Sequence, residues 1–241
     1  MQVFGKIDIG KTRKSNQDAF LTKELDDGSV FIVVCDGMGG ANAGNVASEG
    51  AVRVISDYIV TSYRKTMSQD NIASMLNNAI VSANMEIYDL SLKNKTLNGM
   101  GTTVVAAVFK EDFAVICHIG DSRAYLINDK VTQLTTDHSV VQSLVECGKL
   151  TAEEAKFHPR KNVITRALGV EENVIADYCT LELKKGDNVL ICTDGLTNFV
   201  ENADLLDAFN KNEIDKVADC LVNKANENGG GDNITVVTVT F

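Results

Sequence analysis

The feature that most restricts this chain is a succession of short apolar or alternating runs, each closed by turn residues. They occupy residues 3–9, 19–22, 30–35, 103–109, 114–119, 124–127, 131–134, 175–183, 188–192 and 234–240. Runs of this length and punctuation predict β-strands. The intervening Asp26-Asp27-Gly28, Lys110-Glu111-Asp112, Asn128-Asp129 and Lys185-Gly186-Asp187-Asn188 have the composition of tight turns. Parallel strands need crossovers of a dozen residues or more, so short turns imply mostly antiparallel pairing.

Helical periodicity interrupts the strands in three places. One stripe runs through Ala47, Ala51, Val54, Ile55, Tyr58 and Ile59, and a second through Ile72, Met75, Leu76, Ala79, Ile80, Ala83, Ile87 and Leu90. A third carries Ile214, Val217, Ala218, Leu221, Val222 and Ala225. Each stripe is one face wide and therefore has to cover another apolar surface. The economical solution is an α+β fold in which two antiparallel sheets pack face to face with helices outside them, a four-layer αββα sandwich. Residues 138–172 differ: they are polar, hold the single proline, and form an irregular helical insertion.

Composition narrows the function. The 241 residues carry 23 Lys and Arg against 33 Asp and Glu, a net charge of −10. That balance disfavours a nucleic-acid surface, which needs clustered cations. The longest purely apolar run, 104–109, is far short of the roughly 20 residues that span a bilayer. None of the 6 cysteines forms a Cys-x-x-Cys pair, and Cys35, Cys117 and Cys192 lie inside apolar runs, as buried free thiols do. A cytoplasmic, single-domain protein spanning 1–241 is expected. No symmetric apolar patch suggests an oligomer, so a monomer is expected too.

The chemistry lies where apolar runs meet acids. Asp36-Gly37 follows run 30–35, Gly120-Asp121 follows run 114–119, and Asp194-Gly195 follows run 188–192 through Thr193. Gly229-Gly230-Gly231-Asp232 precedes the last run. If that strand is antiparallel to its neighbours, all four acids meet at one edge of the sandwich. Clustered, partly buried carboxylates cost several kcal/mol per uncompensated charge, and a divalent cation removes the cost. Hard oxygens without His or Cys point to Mg2+ or Mn2+. In the loop between the first two strands, Arg13 and Asp18 add a guanidinium suited to a phosphate and a further acid.

These residues stand in segments that resemble the type 2C metal-dependent serine/threonine protein phosphatases in their compact bacterial form. The segments are 13–18 (RKSNQD), 34–48 (VCDGMGGANAGNVAS), 99–103 (GMGTT), 118–125 (HIGDSRAY), 136–141 (TDHSVV), 158–169 (HPRKNVITRALG), 192–197 (CTDGLT) and 230–236 (GGDNITV). They follow the family's order across essentially the whole chain. The resemblance implies that Asp36 bridges two ions, Mn2+ or Mg2+, with the Gly37 carbonyl on one of them. Asp194 and Asp232 would hold the other ion, and Asp18 would act through water. Asp121 would share a third, weaker ion with Asp194, and Arg13 would hold the substrate phosphate. Residues 142–166 would form a flap beside the site.

The implied reaction is hydrolysis of phosphoserine and phosphothreonine in proteins by a metal-bridging water, in opposition to a cognate serine/threonine kinase. Many relatives carry a histidine after the glycine pair, credited with protonating the leaving alkoxide; here that position is Ala41. Metal-bound water, His158 or His138 are the candidates to replace it, whereas His118 reads as a core residue. The competing function is a non-catalytic phosphoprotein-binding module of the same fold, whose signature would be loss of the aspartates or Arg13. None is lost.

Overall fold

The computed structural model describes residues 1–40 and 43–241. One sheet has the order β1-β11-β10-β7-β8, from strands Gln2–Asp8, Ile234–Thr240, Asn188–Cys192, Arg123–Ile127 and Val131–Gln133. The other has the order β2-β3-β5-β6-β9, from Asp18–Glu24, Val30–Met38, Val104–Phe109, Phe113–Ile119 and Asp177–Glu182. Short β4 (Gly101–Thr102) pairs with the far end of β3. Every described strand pair is antiparallel, β11 included.

Side-chain alternation divides the core into three layers. Phe31, Val33, Cys35, Val104, Ala106 and Val108 point to helices α1 (Ala43–Ser62) and α2 (Gln69–Lys93). Their neighbours Val30, Ile32, Val34, Val105, Ala107 and Phe109 point the other way and meet Val189, Ile191, Val237 and Val239 of the opposite sheet. On that sheet's outer face Leu190, Cys192, Ile234 and Val236 receive α6 (Asn202–Lys211) and α7 (Ile214–Glu227). The expected αββα sandwich is therefore present. Because central strands are buried on both faces, they read as continuous apolar runs rather than as alternation. Cys35, Cys117 and Cys192 are buried free thiols, as expected.

Two features differ from the sequence reading. The sequence reading holds no helix at α6, whose apolar stripe of Leu205, Leu206, Ala208 and Phe209 spans little more than one turn, too short to show a period. Strand β3 also runs past Asp36, because Gly37 and Met38 pair with Thr102 and Gly101. Asp36 thus sits within extended, paired backbone rather than at a strand's end.

The polar insertion contains α3 (Val140–Glu146) and α4 (Ala152–Lys156). The Ser139 hydroxyl caps α3 by accepting from the Gln142 amide, and Thr151 with Glu154 forms a reciprocal cap on α4. An antiparallel bridge between Ser139 and Ile164 ties the two limbs of this excursion together. Among the described residues, no helix is long and apolar enough to cross a membrane.

Candidate active site

Register places the first two acids. Asp18 of β2 lies directly opposite Asp36 of β3. The backbone of Asp36 is fixed on both sides: its amide donates to Thr103 Oγ1 at 3.0 Å, and its carbonyl accepts from Thr103 N and Thr102 Oγ1, each at 2.9 Å. Gly37 is required by close approach, since a Cβ there would run into the carbonyl oxygens of Gly44 and Gln17. The start of α1 consequently lies against the end of β3.

The opposite sheet supplies the rest. Thr193 and Thr235 donate their hydroxyls to Asp18 Oδ2 at 2.9 and 2.7 Å, joining the two sheets through one carboxylate. Thr193 also precedes α5 (Asp194–Thr197), which presents Asp194. Asp232 enters β11 through Asn233, whose side chain accepts from Gln17 N at 2.8 Å and donates to the carbonyls of Ile9 and Ser15 at 3.0 and 3.1 Å. These bonds anchor the loop carrying Arg13, and Arg13 Nη2 donates to Asp232 Oδ2 at 2.8 Å. Asp121 follows Gly120, which adopts φ +107°, a left-handed conformation that glycine accommodates.

The acids are close enough to act on one another's charge. Burial, then the charges of Asp18, Asp194, Asp121 and Asp232, push the Asp36 carboxyl well above the ordinary range. Burial raises Asp18 to about 7 against the lowering effect of its two threonine hydroxyls, with Asp194 and Asp232 adding to the rise. Asp121 is raised to about 7 by burial and by Asp194 and Asp137, and Asp194 is raised by burial and Asp232. The structure thus brings Asp18, Asp36, Asp121, Asp194, Asp232 and Arg13 together.

The donor set fits divalent cations. Asp18 Oδ1 and Asp194 Oδ1 are buried without a hydrogen-bond partner. Such oxygens carry a desolvation cost that a bound cation would offset. Among the described residues, no three acidic, histidine or cysteine side chains already converge on one ion-sized point. That is compatible with Mg2+-like ions, which take one or two carboxylates and keep several waters.

A cavity of about 720 Å³ opens beside Asp121 and Asp194, walled by α3 and α4 on one side and by Glu201 and Asn202 on the other. At its floor Arg123 forks onto Asp137, with Nε to Oδ1 at 2.8 Å and Nη2 to Oδ2 at 2.6 Å.

The histidines divide in three. His118 is buried, as expected of a core residue. His158 lies beyond α4 and accepts from the Arg160 amide through Nδ1. His138 is buried and bonded on both ring nitrogens. Ala41 lies outside the described residues. Sequence reading assigned no role to Thr193, Thr235 or Asn233, although Thr193 adjoins Asp194 in CTDG and Asn233 adjoins Asp232 in GGDN.

Comparison with known proteins places this arrangement. The family model described as Protein phosphatase 2C matches residues 10–227. The serine/threonine phosphatase stp of Listeria innocua is 41% identical over 239 residues, 97% of this chain and 93% of that protein. The crystal structure of the serine/threonine phosphatase Stp1 from Staphylococcus aureus superposes with a TM-score of 0.94 at 33% identity, covering 100% of this chain and 94% of that one. The catalytic domain of the serine threonine protein phosphatase PstP in complex with 2 manganese ions gives a TM-score of 0.86 at 32% identity, covering 98% and 96%. The sandwich, its acid cluster and these likenesses agree, and the chain belongs to the protein phosphatase 2C family.

Proposed function

We propose that this protein is a protein serine/threonine phosphatase that depends on Mn2+ or Mg2+, with residues 1–241 forming one catalytic domain. The observation that carries the metal dependence is the pair of unpartnered, buried oxygens on Asp18 and Asp194 within a cluster of acids that repel one another. Asp36, Gly37, Asp194 and Asp232 would hold two ions, Asp18 would act through water, and Asp121 with Asp194 would take a third. Bound ions would supply an activated water and neutralise phosphoryl oxygens.

The chain's own residues provide the rest. Arg13, half-exposed and turned toward the acids, can exchange Asp232 for a phosphate oxygen. Paired backbone around Asp36 fixes its carboxylate relative to Asp18, so the geometry precedes binding. The excursion over the cavity, residues 142–166, would act as a flap against the phosphoprotein. The reading extends to a monomer acting in the cytoplasm against a cognate kinase.

Hydrolysis of a phosphothreonine peptide tests it. Chelation should abolish turnover and added Mn2+ restore it, and Asp36→Asn should leave below about 1% of wild-type activity, as loss of one charge-stabilising group does. Full turnover in metal-free buffer would defeat the reading. Saturable phosphopeptide binding without phosphate release at any Mn2+ concentration would instead favour the non-catalytic module.

A further inference from the structure

His138 sits where three parts of the molecule meet. It precedes the Ser139–Ile164 bridge at the root of the α3–α4 excursion, and it is 6% exposed. Its backbone amide donates to the Gly120 carbonyl at 2.9 Å, and its carbonyl accepts from the Thr165 amide at 2.8 Å. The ring Nδ1 accepts from the Gly120 amide at 3.1 Å. Both backbone groups of Gly120 are thus bound by a single residue, next to Asp121.

The tautomer follows from this contact. An amide N–H bonds only to a nitrogen lone pair, so Nδ1 is unprotonated and the ring proton is on Nε2. Nε2–H faces Asp177 Oδ2 at 3.3 Å; Arg166 Nη1 lies 3.2 Å from the same nitrogen, where a proton on Nε2 leaves it no lone pair to meet, and its hydrogen bond goes to Asp177 Oδ1 at 2.9 Å. Burial alone would raise Asp177, but His138 and Arg166 together hold it below the ordinary carboxylate value. His118 stacks on the imidazole with ring centroids 4.8 Å apart, its own Nε2–H donating to the Thr136 carbonyl at 2.8 Å. With both ring nitrogens engaged and the ring buried, His138 cannot reach in as a proton donor to a leaving group.

We infer that His138, as its Nε2–H tautomer, is a positioning residue that clasps Gly120 and thereby sets the affinity of Asp121 for a divalent ion, while tying that loop through Asp177 and Arg166 to the returning limb of the excursion. The inference rests on the reading of Asp121 as an ion ligand given above. Groups that orient a ligand without touching the ion are worth about 10–100-fold in affinity.

Two variants of the full chain separate the ring's two bonds. His138→Asn leaves an acceptor near the position of Nδ1 and deletes the Nε2 donor. His138→Gln does the reverse. Exchange of the Gly120 amide, followed by NMR in metal-free protein, should accelerate in His138→Gln and stay near wild type in His138→Asn. In a Mn2+ titration by calorimetry, His138→Gln should weaken the weakest site by about tenfold or more, with His138→Asn within about threefold of wild type. A merely structural histidine would move both variants alike, and equal Mn2+ affinities in the two would overturn the inference. An Asp121→Asn variant that binds Mn2+ like wild type would bring down the site reading and this inference with it, and it is told apart because Gly120 exchange would still follow the variants. Nitrogen-15 spectra of the wild-type ring give a further test independent of any variant: a proton on Nδ1 refutes the clasp.

Discussion

Replacing Asp18 by Asn should stabilise the metal-free protein while weakening its metal site. Asp18 is 7% exposed, and Oδ2 takes two hydroxyls while Oδ1 has no partner. An asparagine can keep its oxygen on Thr193 and Thr235 and place its amide where the orphaned oxygen lies, facing acids that accept hydrogen bonds. Burial raises the Asp18 carboxyl to about 7 in the folded state, against 3.8 for the group in water. Because the folded value is raised, the folded state binds more protons than the unfolded state between those limits, and stability falls as pH rises through them. At about 1.4 kcal/mol per pH unit, the full penalty above pH ~7 is about 4 kcal/mol. Urea unfolding in chelator should therefore show Asp18→Asn gaining on wild type from near zero at pH ~4 to about 4 kcal/mol above pH ~7, or about 8–16 °C in melting temperature. Each ion present at a hundred times its dissociation constant adds about 2.7 kcal/mol to wild type, so saturating Mn2+ should narrow the gap. A variant no more stable than wild type at high pH without metal would refute the account of Asp18 as a buried charge awaiting a counter-ion.

Other perturbations probe different parts of the molecule. Arg13→Ala removes a half-exposed ion pair with Asp232 and should cost no more than about 1 kcal/mol of stability; steady-state kinetics should instead show a raised KM for phosphopeptide. Asn84, buried in α2, accepts from the Gly169 amide and donates to the carbonyls of Glu171 and Glu172. Asn84→Leu orphans these groups and should lower denaturant stability by about 1–3 kcal/mol.

Much of this architecture is written locally. Turn-bounded apolar runs located the strands, and the division of β3 and β5 between two core layers explains why those runs showed no alternation. Helix α6 escaped because its stripe, Leu205, Leu206, Ala208 and Phe209, covers little more than one turn, too few positions to establish a helical period. Asp36, Asp121, Asp194 and Asp232 were legible because each stands beside glycine at one end of an apolar run, whereas Asp18 has no glycine beside it. Their partners were not: nothing near Thr193 or Thr235 announces that its hydroxyl reaches Asp18 of another sheet, since that depends on how two sheets dock.

Among the described residues, strand β1 pairs with β11 alone, and that pairing sets Gln2 opposite Thr240. The hydroxyl of Thr235 bonds a carboxylate 217 positions earlier in the chain. During synthesis β1 therefore waits without an edge to join, and the loop bearing Arg13 lacks its anchor at Asn233. Contacts so distant in sequence close late, after shorter loops have formed. A fragment that stops short of β11 holds every other described strand yet lacks Thr235, so the site is expected to be complete only once β11 has docked.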